Sequence, residues 1–160
     1  MTVWIDGDSC PKQVRDIVNS RCVREKIALH YVANSPLPLP DSSYITMSLT
    51  SDAPDSADDF IVQNSRPGDL VLTRDIPLAS ALVKKQMVVM NDRGNLFTKD
   101  NVSERLSQRD FMQMMREAGI GQDKGKNYGP KEIKAFSSCF DRELVRMLRE
   151  ERFRKAAGTR

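Results

Sequence analysis

Val3-Trp4-Ile5-Asp6-Gly7-Asp8-Ser9-Cys10-Pro11 opens the chain. Three apolar residues end in two aspartates spaced i, i+2, and a helical pattern follows at once. A short apolar run that feeds a helix reads as the first buried strand of an α/β sheet. Ligands in such folds sit at the carboxyl ends of the parallel strands. Asp6 and Asp8 are therefore expected at the mouth of the site, close enough to share one divalent cation. Two anions this close repel unless a cation, a proton or an arginine lies between them. The simpler role for Asp8 is a helix cap, but a cap needs one carboxylate and leaves Asp6 unexplained.

Outward from this stretch, strands and helices alternate. Val14, Ile17 and Val18 suit a helix over Cys10–Glu25, started near Pro11. Ile27–Asn34 is the second expected strand, and three prolines between Ser35 and Asp41 mark an extended connector. Tyr44–Leu49 is a short third strand, and Ser56–Ser65 a helix with Phe60 and Ile61 inward, broken by Pro67-Gly68. Asp69–Thr73 is the fourth strand, Ile76–Lys85 a helix and Met87–Met90 the fifth strand. This pace predicts βαβ units and a parallel sheet covered on both faces. After Gly94 come two longer helices, Val102–Ala118 and Lys131–Arg154, flanking a Gly-, Lys- and Asn-rich stretch. Ile133, Phe136, Phe140, Leu144, Met147 and Leu148 form a stripe suited to core or to a contact between copies. The expected fold is a three-layer α/β/α arrangement around a mostly parallel sheet of about five strands, plus C-terminal helices. One domain spans 1–160, with a core to about 118, a flexible loop at about 119–130 and a last helix to about 154.

The bulk numbers narrow the function classes. The chain has 160 residues, 39% hydrophobic and 29% charged, an ordinary globular balance. No apolar run approaches the roughly 20 residues that span a bilayer, and Met1-Thr2 opens no basic leader, so a cytoplasmic location and no membrane partner are expected. Cys10, Cys22 and Cys139 are odd in number and widely spaced, against a disulfide framework or a zinc knuckle. His30, the one histidine, lies inside a strand-like run and reads as structural. That disfavours a Ser-His-Asp triad and a histidine-rich zinc site. Net charge is +3, with basic residues 142, 146, 149, 152, 154, 155 and 160 gathered at the end and acids dominating between Asp41 and Asp59. A basic end opposite an acidic site suits RNA or DNA, although a solvated helix face looks the same.

Acids fall at three places. Asp6 and Asp8 follow the first strand, Asp55-x-x-Asp58-Asp59 opens a helix, and Thr73-Arg74-Asp75 follows the fourth strand. Asp55 and Asp58 stand i, i+3 and can share a face. Asp55 could serve only as a cap, and Asp59 reads best as a charge complementing the helix dipole. Oxygen ligands from separated segments, without His or Cys, form a hard site for Mg²⁺ or Mn²⁺. Such a site lowers the pKa of a bound water and steadies charge developing on phosphate. Thr73 either orients that water or caps the next helix. Lys12, Arg74 and Arg93 are candidate phosphate contacts, each also readable as a surface cation.

Ile5-Asp6-Gly7-Asp8-Ser9-Cys10-Pro11, Val32-Ala33-Asn34, Asp55-x-x-Asp58-Asp59-x-Ile61-Val62 and Asp69-Leu-Val-Leu-Thr73-Arg74-Asp75-Ile76-Pro77-Leu78-Ala79 resemble the YaiI/YqxD family of small bacterial proteins. Asn91-Asp92-Arg93-Gly94 and Phe136-x-x-x-Phe140-Asp141 also fit, over nearly the whole chain. The family is in turn similar to PIN-like nucleases, which hydrolyse RNA or DNA with clustered acids and Mg²⁺ or Mn²⁺. The resemblance implies catalytic and metal-ligating roles for Asp6 with Asp8, for Asp58 with Asp55 or Asp59, and for Asp75; Thr73 joins the catalytic candidates on its position after the fourth strand. The chain departs from the family in carrying Gly7 in place of alanine and a spread Gly121–Pro130 in place of a tighter turn. In that stretch Lys124 and Lys126 could touch phosphates.

Rival functions remain open on the sequence. A phosphatase of the haloacid-dehalogenase type would use Asp6 as nucleophile and Thr73 and Lys84 or Lys85 as partners, but its acidic pair would follow Thr73, whereas Asp58-Asp59 precedes it. A thiol phosphatase would use Cys10, yet Arg15 comes one residue early for its phosphate loop. A non-catalytic metal- or RNA-binding module would keep the acids without turnover. The chain could act as a monomer or a homodimer.

Overall fold

The structure is a computed structural model that describes residues 1–120 and 127–158. It contains β1 (Thr2–Asp6), α1 (Lys12–Glu25), β2 (Ala28–Ala33), β3 (Ile45–Leu49), α2 (Ser56–Asn64), β4 (Leu70–Leu72), α3 (Ile76–Lys84), β5 (Val88–Met90), β6 (Leu96–Phe97), α4 (Lys99–Glu117) and α5 (Pro130–Ala156). Six strands form one sheet in the order β3-β2-β1-β4-β5-β6. The first five pair in parallel and β6 runs antiparallel to β5. The sixth strand has two residues, too few for any periodicity to announce it.

β1 lies mid-sheet, and its alternation sorts the core into two layers. Val3 and Ile5 point with Leu29, Tyr31 and Leu70 toward α1 and α5, where Val14, Val18, Phe136, Phe140 and Leu144 are buried. Trp4 points the other way with Val71 and Val89, toward Ile61 of α2 and Leu78 and Leu82 of α3. Helices thus cover both faces, as expected of a parallel sheet. The apolar stripe of α5 is core. Burying such side chains supplies about 1.5–3 kcal/mol each before entropy is charged.

The first strand is held from below. The buried Asp69 carboxylate accepts from the Thr2 amide at 2.8 Å, the Trp4 indole at 3.0 Å and the Arg66 amide at 2.9 Å. That fixes β1 lengthwise and sets where its other end, Asp6, emerges.

α4 is less embedded. Thr98 and Asn101 close a capping box at its start, and Val102 is its one fully buried residue. Phe111, Met112 and Met114, whose pattern resembles a core stripe, are exposed. Lys124 and Lys126 lie outside the described residues. Among the described residues no helix is long and apolar enough to cross a membrane.

Candidate functional site

Because β1, β2, β3 and β4 run parallel, their carboxyl ends share one edge of the sheet. A cleft of about 670 Å³ opens there. Asp6, Asp8, Asp52, Asp55, Asp58 and Asp75 line it, together with Arg74 and Arg109.

Asp6 is the last residue of β1 and half-buried. Its Oδ2 accepts from the Thr73 hydroxyl at 3.1 Å. The same Thr73 oxygen accepts from the Asp75 amide at 3.0 Å. Thr73 therefore ties the ends of β1 and β4 together, and the cap of the following helix comes from Asp75, whose side chain accepts from the Leu78 amide at 2.8 Å. Thr73 is buried behind the cleft, beside a small adjoining cavity shared with Asp6, Cys10, Arg74 and Asp92.

Asp8 does not cap α1: Pro11 holds the cap position with no side-chain bond. Asp8 accepts instead from the Asn34 amide, just past β2, at 3.0 and 3.3 Å, which holds the loop after β1 against the next strand. Asp55 occupies the cap position of α2 in left-handed backbone, φ 64°, yet makes no capping bond there. A non-glycine residue in that conformation is unusual, and here it leaves the carboxylate lining the cleft. Asp58, one turn on, is half-buried and lines the cleft, whereas Asp59 is exposed and does not.

The electrostatics follow from this crowding. Burial raises the Asp6 carboxyl above its ordinary 3.8, and Asp8 and Asp75 add repulsion, partly offset by the Thr73 hydrogen bond. Asp58 is pushed up to about 7, first by burial and then by Asp75, Asp6, Asp55 and Asp59. The carboxylates therefore feel one another across the cleft, as neighbouring like charges do.

A divalent cation fits the donor set, which is all oxygen. Thr50 Oγ1, which also lines the cleft, is buried without a hydrogen-bond partner and adds one unused oxygen. Among the described residues no three carboxylate, imidazole or thiol groups stand as a ready-made cage.

Cys10 and His30 do not line the cleft. Burial pushes the Cys10 thiol up to about 12, which disfavours the thiolate a thiol phosphatase uses. His30 bonds Thr46 at 2.6 Å and Ser48 at 2.8 Å and stacks on Phe60, with its pKa lowered by burial.

Residues 4–146 match the family described as "Uncharacterized BCR, YaiI/YqxD family". The chain belongs to the YaiI/YqxD family. It is 42% identical over 151 residues to a "UPF0178 protein" of Myxococcus xanthus, covering 94% of this chain and 99% of that one. A "UPF0178 protein" of Trichlorobacter lovleyi is 42% identical over 150 residues, covering 94% and 97%. One from Treponema pallidum is 40% identical over 156 residues, covering 98% and 88%. No solved structure matches the chain.

In this YaiI/YqxD family member the cleft also contains residues that sequence reasoning passed over. Asp52 comes from the β3–α2 loop and Arg109 from the middle of α4. Asp52 lay within a stretch already noted as acidic, whereas nothing local marks Arg109. Among the described candidate phosphate contacts, Lys12, Arg74 and Arg93, only Arg74 lines the cleft. Lys12 is exposed and pairs with Asp16 at 2.9 Å. Arg93 lies 3.7 Å from Glu132 and over the Tyr128 ring.

Proposed function

We propose that the chain is a metal-dependent phosphodiesterase acting on RNA or DNA, with Mg²⁺ or Mn²⁺ held directly or through water by Asp6, Asp8, Asp58 and Asp75, and with Asp55 as a further ligand; Asp59, exposed and outside the cleft, is not one of them. The observation that carries this proposal is the convergence of six aspartates on one cleft at the strand ends. Asp58 there is raised to about 7, first by burial and then by the neighbouring carboxylates. A divalent cation held by these carboxylates would supply water activation and charge neutralisation at phosphate. Hydrolysis would add water across the phosphorus–oxygen ester bond. One product keeps the phosphate as a monoester and the other leaves as an alcohol. Thr73 holds Asp6 in its orientation, and Asp8 braces the loop that shapes the mouth. Arg74 offers a phosphate oxygen a cation that the acids alone would deny it. The resemblance to PIN-like nucleases read from the sequence supports the same chemistry.

The test is incubation of the purified protein with labelled single-stranded and duplex RNA and DNA, with Mn²⁺ or EDTA. An Asp6→Asn/Asp75→Asn variant runs alongside. The outcome expected is cleavage that requires the metal and vanishes in the variant. Turnover of p-nitrophenyl phosphate alone would instead identify a phosphatase with Asp6 as nucleophile. Metal-dependent binding of RNA without cleavage would identify a binding module.

A further inference from the structure

Asp92 is a buried carboxylate that the site described so far does not use. It lies in the turn between β5 and β6 and is 5% exposed. Its Oδ2 accepts from Arg74 Nε at 2.7 Å and also from Arg74 Nη2. The arginine side chain is 46% exposed, against 6% for the carboxylate. A guanidinium has five N–H donors in a rigid plane. Two are spent on Asp92, and the exposed side lines the acidic cleft. Arginine loses considerable rotamer freedom when fixed, and a buried charge partner fixes it before any ligand arrives.

Asp92 is itself held from behind. The Tyr128 hydroxyl donates to the Asp92 backbone carbonyl at 2.7 Å. Arg93 stacks on the Tyr128 ring at 5.6 Å and pairs with Glu132 on α5. Glu132 accepts from the Gly129 amide at 3.0 Å. Gly94, with φ 80°, presses so close that a Cβ there would collide with the Ala135 carbonyl of α5. The turn after β5 is thus clamped to the start of the last helix. The chain of contact runs from α5 through Tyr128 and Asp92 to Arg74 at the cleft.

We propose that Asp92 is a positioning residue: it fixes the Arg74 guanidinium so that its free edge meets a substrate phosphate, with the start of α5 as its buttress. This rests on the phosphodiesterase reading of the cleft. A preorganised donor aimed at developing charge is worth far more than a mobile surface arginine, because no reorganisation is required as the charge appears.

The test measures kcat and KM of the Mn²⁺-loaded protein on an oligonucleotide that it cleaves, for wild type, Arg74→Ala, Asp92→Asn, the double variant and Arg74→Lys. Arg74→Ala is expected to lower kcat by about 10²–10³-fold, with KM changed far less. Asp92→Asn is expected to lower kcat about 10–100-fold, the range for a removed supporting partner. The double variant should be no worse than Arg74→Ala alone, since residues acting as one unit do not multiply. Arg74→Lys should not rescue, because an ammonium cannot bond Asp92 and a phosphate in one plane. Losses that multiply, or wild-type kcat in Asp92→Asn, would overturn the positioning role, and wild-type kcat in Arg74→Ala would overturn the whole inference. If Asp92→Asn does not fold, Tyr128→Phe removes only the bond to the Asp92 carbonyl. Lowered kcat at unchanged KM there supports the buttress, and unchanged kcat refutes it. A wild type inactive on every phosphodiester would overturn the reading of the cleft and this inference with it. An active wild type with indifferent variants overturns the inference alone.

Discussion

Asp58→Asn should make the metal-free protein more stable, although it removes a residue placed at the heart of the site. The Asp58 carboxyl is raised from its ordinary 3.8 to about 7 by burial and by four neighbouring carboxylates. The native state therefore holds this proton more tightly than the unfolded chain does. Stability contributed at this position is present below about pH 4 and falls as pH rises toward 7; above that the loss is complete. A tenfold change in proton affinity corresponds to about 1.4 kcal/mol, so the shift sets a ceiling of about 4 kcal/mol. The side chain is only half-buried, and water screens its repulsions, which reduces the estimate to about 1–2 kcal/mol. Asparagine cannot ionise and keeps what aspartate loses. At about 2–4 °C per kcal/mol for a chain of this size, the expected gain in melting temperature at pH 8 in EDTA is about 2–8 °C.

The assay is thermal unfolding by circular dichroism at pH 8 and pH 5, with EDTA and then with Mn²⁺. The gain should shrink at pH 5, where native Asp58 is largely protonated. Mn²⁺ at pH 8 should raise the wild-type transition more than the variant's, because the cation relieves in one protein a repulsion the other lacks. An Asp58→Asn protein no more stable than wild type at pH 8, or equally stabilised at both pH values, would refute the picture of mutually repelling carboxylates.

Other outcomes follow from the same structure. Asp69→Asn should cost about 2–4 kcal/mol in urea unfolding and red-shift Trp4 emission, because an amide cannot accept from three donors on the two oxygens that now take them. Gly94→Ala should cost about 2–3 kcal/mol or more, since it strains a φ of 80° and drives a methyl into the Ala135 carbonyl; activity per folded molecule should fall with it. Phe111→Ser with Met114→Ser should leave the unfolding midpoint within about 0.5 kcal/mol per site, because both side chains are already in water.

The parts of the site legible in the sequence share a physical cause. Asp6 and Asp75 can be placed because buried parallel strands leave a run of apolar residues, and the first acid after the run must stand at the sheet's carboxyl edge. Asp58 can be separated from Asp59 for a related reason. Asp58 stands three residues before Ile61, which is fully buried, so the helix turns both inward; Asp59 is rotated off that face. Arg109 and Asp92 follow no such rule. Arg109 reaches the cleft only because α4 packs against α3 after the sheet is complete, an arrangement set by tertiary contact and not by any local pattern. Phe111 and Met114, one turn apart on the second half of α4, are exposed. Asp92 reads as an ordinary turn residue in Asn91-Asp92-Arg93-Gly94. What distinguishes it is the arginine it meets, eighteen positions earlier in the chain, at the end of a neighbouring strand. Carboxylates at strand ends announce themselves in the sequence, while a buried acid such as Asp92 meets its arginine only where the folded chain brings the two within reach.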